Sequence, residues 1–269
     1  MKVNILITLA MLLLFISACG TQAITTEPPP LPTSTPLPTN TPAPTATATV
    51  PPSPTPIPPT PTPEFEQFYT EEFEKDLKYW PSFLVSGSPY FGASILKEPE
   101  ENFIVSAEVE DGFFKFNIDH KLHGWGAVYA IYDPFDYENV RIDARVENQG
   151  TNNNNISLIC HYSADTGWYE FNIANNGLYW IFFAKLRPED GVISYGLIEE
   201  GGSNKIKQGL DTNEYTAICQ GNTLTLYIND NLTKEVKDDR LTSGKVGVSV
   251  TGFSQIAKVN FDWVKISQP

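Results

Sequence analysis

Alternation of apolar and polar side chains in the last quarter of the chain constrains the fold more than any other feature of the sequence. Thr223–Ile228 alternates leucine and isoleucine with threonine and tyrosine, the period-2 pattern of a strand with one buried face. Gly221-Asn222 precedes this strand and Asn229-Asp230 follows it, and both pairs suit the two-residue turns of hairpins. This stretch therefore predicts antiparallel strands joined by short turns.

Similar patterns, rich in β-branched and aromatic residues, recur through the last two hundred residues. We predict strands over residues 103–109, 113–118, 126–132, 139–146, 156–162, 168–173, 178–184, 192–198, 215–220, 223–228, 232–236, 245–250 and 257–266. Turn signals containing Gly, Asn and Asp separate them, and no stretch shows a clean helical stripe. The predicted fold class is all-β, a two-sheet antiparallel sandwich.

Residues 1–19 have the features of an export signal. Lys2 is followed by an almost wholly apolar run that is too short to span a membrane as a helix. The run ends in Ile16-Ser17-Ala18-Cys19, which resembles the lipobox of bacterial lipoproteins and implies cleavage before Cys19 and acylation of its thiol. An ordinary signal peptide with an unrelated cysteine is the alternative.

Residues 20–63 are dominated by Pro, Thr, Ala and Ser, with 16 of the chain's 22 prolines. Such a composition cannot bury enough apolar surface to offset the entropy of ordering, so we predict a disordered, semi-rigid stalk. A proline-rich ligand for a partner's groove is the weaker alternative, because the run has no basic anchor residues. Residues 64–269 then form one domain.

The formal net charge of −14 belongs entirely to this domain, since the single Lys and single Glu before it cancel. An acidic surface argues against nucleic acid and anionic lipid headgroups as partners. The expected attachment to a membrane is through the lipid anchor only.

Cysteine usage agrees with export. If Cys19 carries lipid, Cys160 and Cys219 remain, each within a strand-like apolar run. In an oxidising compartment such a pair predicts one disulfide, and two buried thiols are the alternative.

Three segments carry a resemblance to a known superfamily: residues 219–230 (CQGNTLTLYIND), 239–248 (DRLTSGKVGV) and 260–266 (NFDWVKI). They resemble the concanavalin A-like lectin/glucanase superfamily, and more closely its laminin-G-like and 3-keto-disaccharide hydrolase-type domains. The resemblance implies a jelly-roll sandwich over residues 66–267, on a bacterial protein held at the cell surface. The chain departs from the pattern at Asn229-Asp230, where the family usually has Asn-Gly.

The sequence offers little for catalysis. Retaining glucanases of this superfamily carry a Glu-x-Asp-x-x-Glu strand, whose two acids lie about 5–5.5 Å apart. The match we identify, Glu74-Lys-Asp76-Leu-Lys-Tyr79, has a tyrosine in the acid/base position. Glu108 and Glu110 share one strand face, which is more often a solvated face than a carboxylate pair. No catalytic residue is therefore assigned.

A binding surface has better support. The odd-numbered residues of strand 168–173 form its apolar face, so Trp168, Glu170 and Asn172 are expected to point outward. A sugar ring stacks its C–H face on an indole, and its hydroxyls bond to carboxylates and amides. These three residues are the predicted centre of a sugar-binding platform.

Other residues are candidates to extend this platform. His161 on the preceding strand is expected to point outward beside Trp168, and Trp125 and Tyr179 could add further rings. Trp180 is another candidate, although a tryptophan in a sandwich more often lies in the core.

Asp262 lies where related jelly rolls hold a structural calcium through a C-terminal-strand aspartate and backbone carbonyls. Oxygen ligands suit this cation. The equally plain interpretation is an aspartate that caps a strand end.

Together these features predict a surface-anchored lipoprotein whose domain binds an extracellular glycan or cell-wall polysaccharide without turnover. A sugar-processing hydrolase is the first alternative, and a structural or sensory ectodomain is the second.

Overall fold

The computed structural model describes residues 65–88, 92–98, 103–120, 124–253 and 256–269. The predicted signal peptide, the predicted lipidation site Cys19 and the predicted stalk lie outside these residues. Within them, no helix is long and apolar enough to cross a membrane.

The described residues fold into β-strands connected by turns. In chain order these are β1 (Tyr69–Glu71), β2 (Ser82–Ser88), β3 (Gly92–Leu96), β4 (Phe103–Glu110), β5 (Phe113–His120), β6 (Trp125–Tyr137), β7 (Asn139–Asn148), β8 (Asn154–Ser163), β9 (Gly167–Ala174), β10 (Leu178–Arg187), β11 (Val192–Gly202), β12 (Thr212–Gln220), β13 (Thr223–Ile228), β14 (Asn231–Lys237), β15 (Gly244–Gly252) and β16 (Ala257–Ser267). All thirteen predicted strands are present, and several extend beyond their predicted ends. The first three strands were not predicted, because they are short or interrupted by serine and glycine.

The strands form two antiparallel sheets, which confirms the predicted all-β sandwich. The first sheet has the order β14-β13-β12-β7-β16-β5-β4, with β1 paired to β16. The second has the order β10-β11-β3-β2-β6-β15-β8-β9 and closes on itself, because β9 also pairs with β10. We call this second layer the closed sheet.

The main core lies between the two sheets. The alternating apolar residues of β13 and β15 point into it and are fully buried, as their period-2 pattern predicts. Cys160 on β8 and Cys219 on β12 form a disulfide across this core, with their Cα atoms 6.6 Å apart. The predicted pairing is confirmed, and the bond ties one sheet to the other.

The predicted hairpin turns form where expected. Gly221 has a φ of 57°, and Asn229 and Asp230 have φ values of 48° and 61°. Asparagine and aspartate adopt this left-handed region more readily than other non-glycine residues. The Asn229 side chain also accepts a hydrogen bond from the Glu214 amide at 2.9 Å and donates one to Asn213 Oδ1 at 2.8 Å, so its contacts stabilise the turn in place of the usual glycine.

Closure of the second sheet depends on a short contact. β11 pairs with β10 along its length and reaches β3 only at its start, where Val192 faces Ser94 and Ile193 faces Ala93. This contact gives the closed sheet an interior with its own apolar cluster, which includes Tyr129, Ile131, Ile159, Trp168 and Ile193.

Candidate functional site

The inner face of the closed sheet carries a row of polar and aromatic side chains from five neighbouring strands. The register pairs Tyr129 with Ser249, Ser249 with Ser157, Ser157 with Asn172, and Asn172 with Trp180. Because paired residues project from the same face of a sheet, this row crosses the interior from β6 to β10.

A pocket of about 440 Å³ opens at one end of this interior. It is lined by six aromatic residues and four residues with polar side chains: Trp125, Tyr129, Trp180, Phe182, Tyr195, Phe253, Asn155, Glu170, Asn172 and Thr251. Its volume lies within the range of about 300–1,000 Å³ typical of small-molecule sites.

Glu170 organises the polar part of the pocket. Only 2% of its surface is exposed. One carboxylate oxygen accepts hydrogen bonds from the Tyr129 hydroxyl at 3.0 Å and the Trp168 indole at 3.1 Å. The other accepts bonds from Ser157 Oγ at 2.8 Å and Asn172 Nδ2 at 3.2 Å. A carboxylate has about four lone-pair sites, so these donors occupy all of them.

Asn172 extends this network toward the opening. Its amide nitrogen also donates to Ser157 Oγ at 2.9 Å, and its oxygen accepts a bond of 2.6 Å from Asn155 Nδ2. The half-buried Asn155 lies at the pocket wall, and its Oδ1 accepts no hydrogen bond from any described residue. Asn155 therefore presents a free acceptor to a ligand.

Two tyrosines complete the inner wall. The hydroxyls of Tyr129 and Tyr195 lie 2.9 Å apart and share a hydrogen bond. Burial raises the pKa of both phenols well above the ordinary value, and the negative charge of Glu170 raises it further. Both therefore remain protonated at neutral pH and act as hydrogen-bond donors.

Aromatic rings surround the opening at right angles to one another. Tyr195 makes edge-on contacts with Trp125 at a centroid distance of 6.0 Å and with Phe182 at 5.8 Å. The Trp125 indole lies directly over Gly87, where an added Cβ would be 2.2 Å from its Cε2 atom. Only glycine at this position lets the indole lie across β2.

No protein-family model matches the sequence, and no curated protein matches it either. Several solved structures are similar in fold. A Bacillus licheniformis β-glucanase is 13% identical, with a TM-score of 0.51, and covers 77% of this chain and 100% of its own. A prokaryotic β-1,3-1,4-glucanase (lichenase) derived from a mouse hindgut metagenome is 12% identical, with a TM-score of 0.51 and coverage of 75% and 99%. A glycoside hydrolase family 16 endo-glucanase from Bacteroides ovatus is 12% identical, with a TM-score of 0.50 and coverage of 74% and 99%.

The fold is a concanavalin A-like jelly roll. The predicted jelly-roll sandwich is thereby confirmed, and identities of 12–13% show the fold alone.

The jelly roll places Trp168, Glu170 and Asn172 on one face of β9, opposite the face that packs in the main core, as the alternation predicts. The expectation that Trp168 offers an exposed stacking surface is wrong, since it is 1% exposed beneath the pocket. The closed sheet wraps around it, and its indole N–H is used on Glu170.

His161 does not join this group. A bulge between Cys160 and Ser163 breaks the alternation of β8, and His161 itself has a φ of 53°. Its ring lies against Tyr169 at a centroid distance of 5.9 Å, and Nε2 lies 3.2 Å from the Glu138 carbonyl oxygen. Burial lowers the pKa of His161. The expectation that His161 points outward beside Trp168 is therefore wrong.

The two aromatic candidates of β10, Tyr179 and Trp180, each lie in the position that was expected of the other. Tyr179 is 6% exposed and packs in the main core, so it does not extend the platform. Trp180 is half-buried and lines the pocket, although the core was its expected place. Trp125 lines the pocket as expected of a platform residue.

Asp262 lies on β16 with its carboxylate 3.4 Å from the Arg145 guanidinium. This ion pair balances its charge without a metal, and no group of three or more His, Cys, Asp or Glu side chains suited to a metal occurs in the described ranges. These residues fit a calcium site poorly.

The acidic residues considered for catalysis lie elsewhere. Glu74 and Asp76 belong to the segment between β1 and β2, not to a strand. Together with Glu108 they line a separate pocket of about 400 Å³. Glu110 forms an ion pair with Lys115 at 2.8 Å.

Sequence reasoning missed six lining residues: Tyr129, Asn155, Phe182, Tyr195, Thr251 and Phe253. Asn155 precedes the predicted strand 156–162, although its place two residues before Ser157 puts it on the inner face of β8. Tyr129, Phe182 and Tyr195 are ordinary strand aromatics, and closure of the sheet brings them together with Thr251 and with Phe253, which follows β15. A further signal was overlooked: Glu170-Phe-Asn172-Ile-Ala-Asn175 has the spacing of the glucanase motif, with amides in place of the second and third acids.

Proposed function

We propose that the jelly roll binds carbohydrate, without turnover, in the pocket of the closed sheet. The observation that carries this proposal is that one pocket contains both flat aromatic rings and a fixed set of amide and hydroxyl groups. Trp180 and Trp125 offer faces for a pyranose ring, and Asn155 offers a free amide oxygen to its hydroxyls. The fold shared with structures named as glucanases is consistent with this ligand class.

The state of Glu170 favours binding over hydrolysis. Among the described residues that line the pocket, it is the one carboxylate. Both retaining and inverting mechanisms require a pair of carboxyl groups, about 5–5.5 Å or about 6.5–9.5 Å apart. In addition, the four donors around Glu170 leave it no lone pair for a nucleophilic or basic role.

Hydrolysis is the second candidate, and one observation favours it. The spacing of Glu170 and Asn172 on β9 matches the first two positions of the glucanase strand, on the concave face of the same fold. If Glu170 exchanged its present donors for a substrate, it would be the group to carry a catalytic role.

The test is a glycan array probed with the full chain in detergent, followed by a search for released sugars on every hit. Binding without products is the expected result, and products would instead support hydrolysis. Trp180→Ala is expected to abolish retention on the hits. Trp263→Ala is the matched control, since Trp263 is a half-buried tryptophan of β16 in the other sheet. Absence of binding to every glycan on the array would contradict the proposal and favour a structural or sensory role.

We further propose that the protein is a lipoprotein, anchored through Cys19 at the bacterial surface with the jelly roll outside the membrane. The support is the lipobox-like sequence and the proline-rich stretch after it. Cys19→Ser is expected to move the protein from the membrane fraction to the medium and to abolish incorporation of labelled fatty acid. Unchanged labelling would contradict the lipid anchor.

A structural calcium at Asp262 also remains a proposal, resting on the sequence position alone. It predicts a melting temperature that falls with EDTA and recovers with excess calcium. A melting temperature that EDTA leaves unchanged removes the calcium.

A further inference from the structure

Resting on the proposed carbohydrate binding, we infer that the sugar held in the pocket is an amino sugar, whose free ammonium group is recognised by Glu170 and the hydrogen-bond acceptors connected to it. The directions of the hydrogen bonds in the pocket wall support this inference. One buried carboxylate determines those directions.

The hydrogen-bond network begins at Glu170, which can only accept. A carboxylate has no hydrogen to give, so each of its partners has to donate to it. The partners are Tyr129, Trp168, Ser157 and Asn172, none of which carries a positive charge. The donors of the network are therefore turned inward, and none of these partners balances the negative charge.

The amide arm of the network ends in an acceptor. Asn172 donates from its NH₂ group to Glu170 Oε1 at 3.2 Å and to Ser157 Oγ at 2.9 Å, so both hydrogens are used. Its amide oxygen consequently faces Asn155, whose own NH₂ group donates to it at 2.6 Å. The amide oxygen of Asn155 is left free at the pocket wall, and Glu170 determines its place through two successive amides.

The hydroxyl arm ends in the same way. Tyr129 has one hydroxyl hydrogen and donates it to Glu170 Oε2 at 3.0 Å. The bond of 2.9 Å between the hydroxyls of Tyr129 and Tyr195 is therefore donated by Tyr195. Since this uses the hydrogen of Tyr195, its oxygen can only accept from a ligand in the pocket that it lines.

Charge favours the same kind of ligand. Among the described residues that line the pocket, Glu170 is the one with a formal charge. A carboxylate in a partly desolvated site attracts a cation more strongly than one in water does, because the lower dielectric screens it less. Six aromatic side chains line the same pocket, and the faces of such rings also attract cations. An ammonium group combines a positive charge with three N–H donors, and it therefore complements this wall.

Related sugars complement the wall less well. Acetylation of the amine removes the charge and leaves one N–H donor, and a hydroxyl in its place is an uncharged group with one donor. Hydrogen bonds with an ionised partner are about twice as strong as neutral ones, so we expect the amino sugar to bind about tenfold more tightly than either form.

The experiment compares sugars that differ in one group. The probes are β-1,4-linked tetrasaccharides of glucose, glucosamine and N-acetylglucosamine, at a pH below the pKa of the sugar amine and at fixed salt. Calorimetry with the full chain, in an uncharged detergent without a sugar headgroup, should give the tightest binding for the glucosamine probe, by about tenfold. Tetralysine, which has the positive charges without the sugar, controls for general attraction to the acidic chain and should bind more weakly by about the same factor.

Variants connect the preference to the network. Each is assessed by the ratio of its affinities for the glucosamine and glucose probes, which a merely structural loss leaves unchanged. Glu170→Gln removes the charge and should lower this ratio by about tenfold. Adding Asn172→Asp returns a carboxylate to a contacting side chain, 3.2 Å away, and should restore the ratio. Tyr195→Phe removes an acceptor but keeps the ring and should also lower the ratio, whereas Tyr227→Phe, in a half-buried tyrosine of β13 in the other sheet, should not.

The outcomes separate this inference from the proposed function. Glucosamine bound no more tightly than glucose, while array glycans are still bound and are lost in Trp180→Ala, would overturn the amino-sugar inference and leave carbohydrate binding intact. A preference that Glu170→Gln and Tyr195→Phe leave unchanged, or tetralysine bound as tightly as the glucosamine probe, would overturn it as well. Absence of binding to every probe and every array glycan would overturn the proposed function and this inference with it.

Discussion

Replacing Glu170 with glutamine tests the hydrogen-bond network beneath the pocket. The carboxylate accepts four bonds, whereas a glutamine amide accepts at one end and donates at the other. The indole N–H of Trp168 can only donate, so the amide oxygen has to face it. The new NH₂ group then faces Ser157 Oγ, which can rotate to accept, and Asn172 Nδ2, which cannot.

The magnitude follows from this donor–donor contact, in which Asn172 Nδ2 keeps its bond to Ser157 Oγ but loses its bond to residue 170. A buried donor left without a partner costs about 1–3 kcal/mol. Two further effects oppose each other. The remaining hydrogen bonds become weaker without the negative charge, and the folded state no longer carries the cost of burying that charge. We therefore expect Glu170→Gln to lower the free energy of unfolding by about 1–3 kcal/mol.

A second substitution provides the decisive control. Asn172→Asp alone places two carboxylates in contact, 3.2 Å apart by the present geometry, where both cannot remain ionised. In the double variant, the glutamine NH₂ donates to the new aspartate, which still accepts the bond from Asn155. The double variant should be more stable than either single variant, although both single changes destabilise.

Guanidinium unfolding followed by tryptophan fluorescence measures these differences as shifts in midpoint at constant slope. A Glu170→Gln variant within about 0.5 kcal/mol of the parent would show that the hydrogen bonds are not made as described. Additive effects in the double variant would equally refute the reasoning, because residues in one network should couple.

Three further predictions follow from the fold. Replacing Cys160 and Cys219 together by alanine should cost about 4 kcal/mol in chemical denaturation, since the disulfide closes a loop with a sequence separation of 59; a loss below about 1 kcal/mol would contradict this. Burial raises the pKa of several tyrosines above the ordinary 10.0, so above that pH the unfolded chain binds fewer protons at these tyrosines than the folded chain does. Stability should therefore fall as the pH rises above that value, by up to about 1.4 kcal/mol per pH unit for each tyrosine. Absorbance titration at alkaline pH checks this prediction, and buried tyrosines that ionise reversibly at their ordinary pKa without unfolding would refute it. Gly87→Ala should displace the Trp125 indole and weaken glycan binding, whereas Gly202→Ala, whose added Cβ meets nothing closer than 3.6 Å, should leave binding and tryptophan fluorescence unchanged; equal binding by both variants would place Trp125 outside the site.

Much of the architecture was accessible from local patterns. A strand turns alternate side chains to opposite faces, so the split of β9 into Trp168, Glu170 and Asn172 on one face is a property of spacing alone. The turns at Gly221 and Asn229 follow from residues that tolerate a left-handed backbone.

Departures from that pattern have local causes that spacing does not reveal. The bulge after Cys160 inserts an extra residue into β8 and turns His161 toward Tyr169 and the main core. Another bulge, between Ile181 and Phe182, shifts the register of β10 against β11. A bulge depends on which partner strand lies alongside, so it cannot be predicted from the sequence of a single strand.

The sequence alone therefore determines which residues of a strand share a face, because side chains alternate between the two faces every two residues. The sequence alone does not determine whether the outward face of a strand is exposed to water, because exposure depends on contacts between distant segments of the chain. The pairing of Ile193 with Ala93 closes the second sheet, so that Trp168 is buried beneath a pocket and Trp180 lines the pocket.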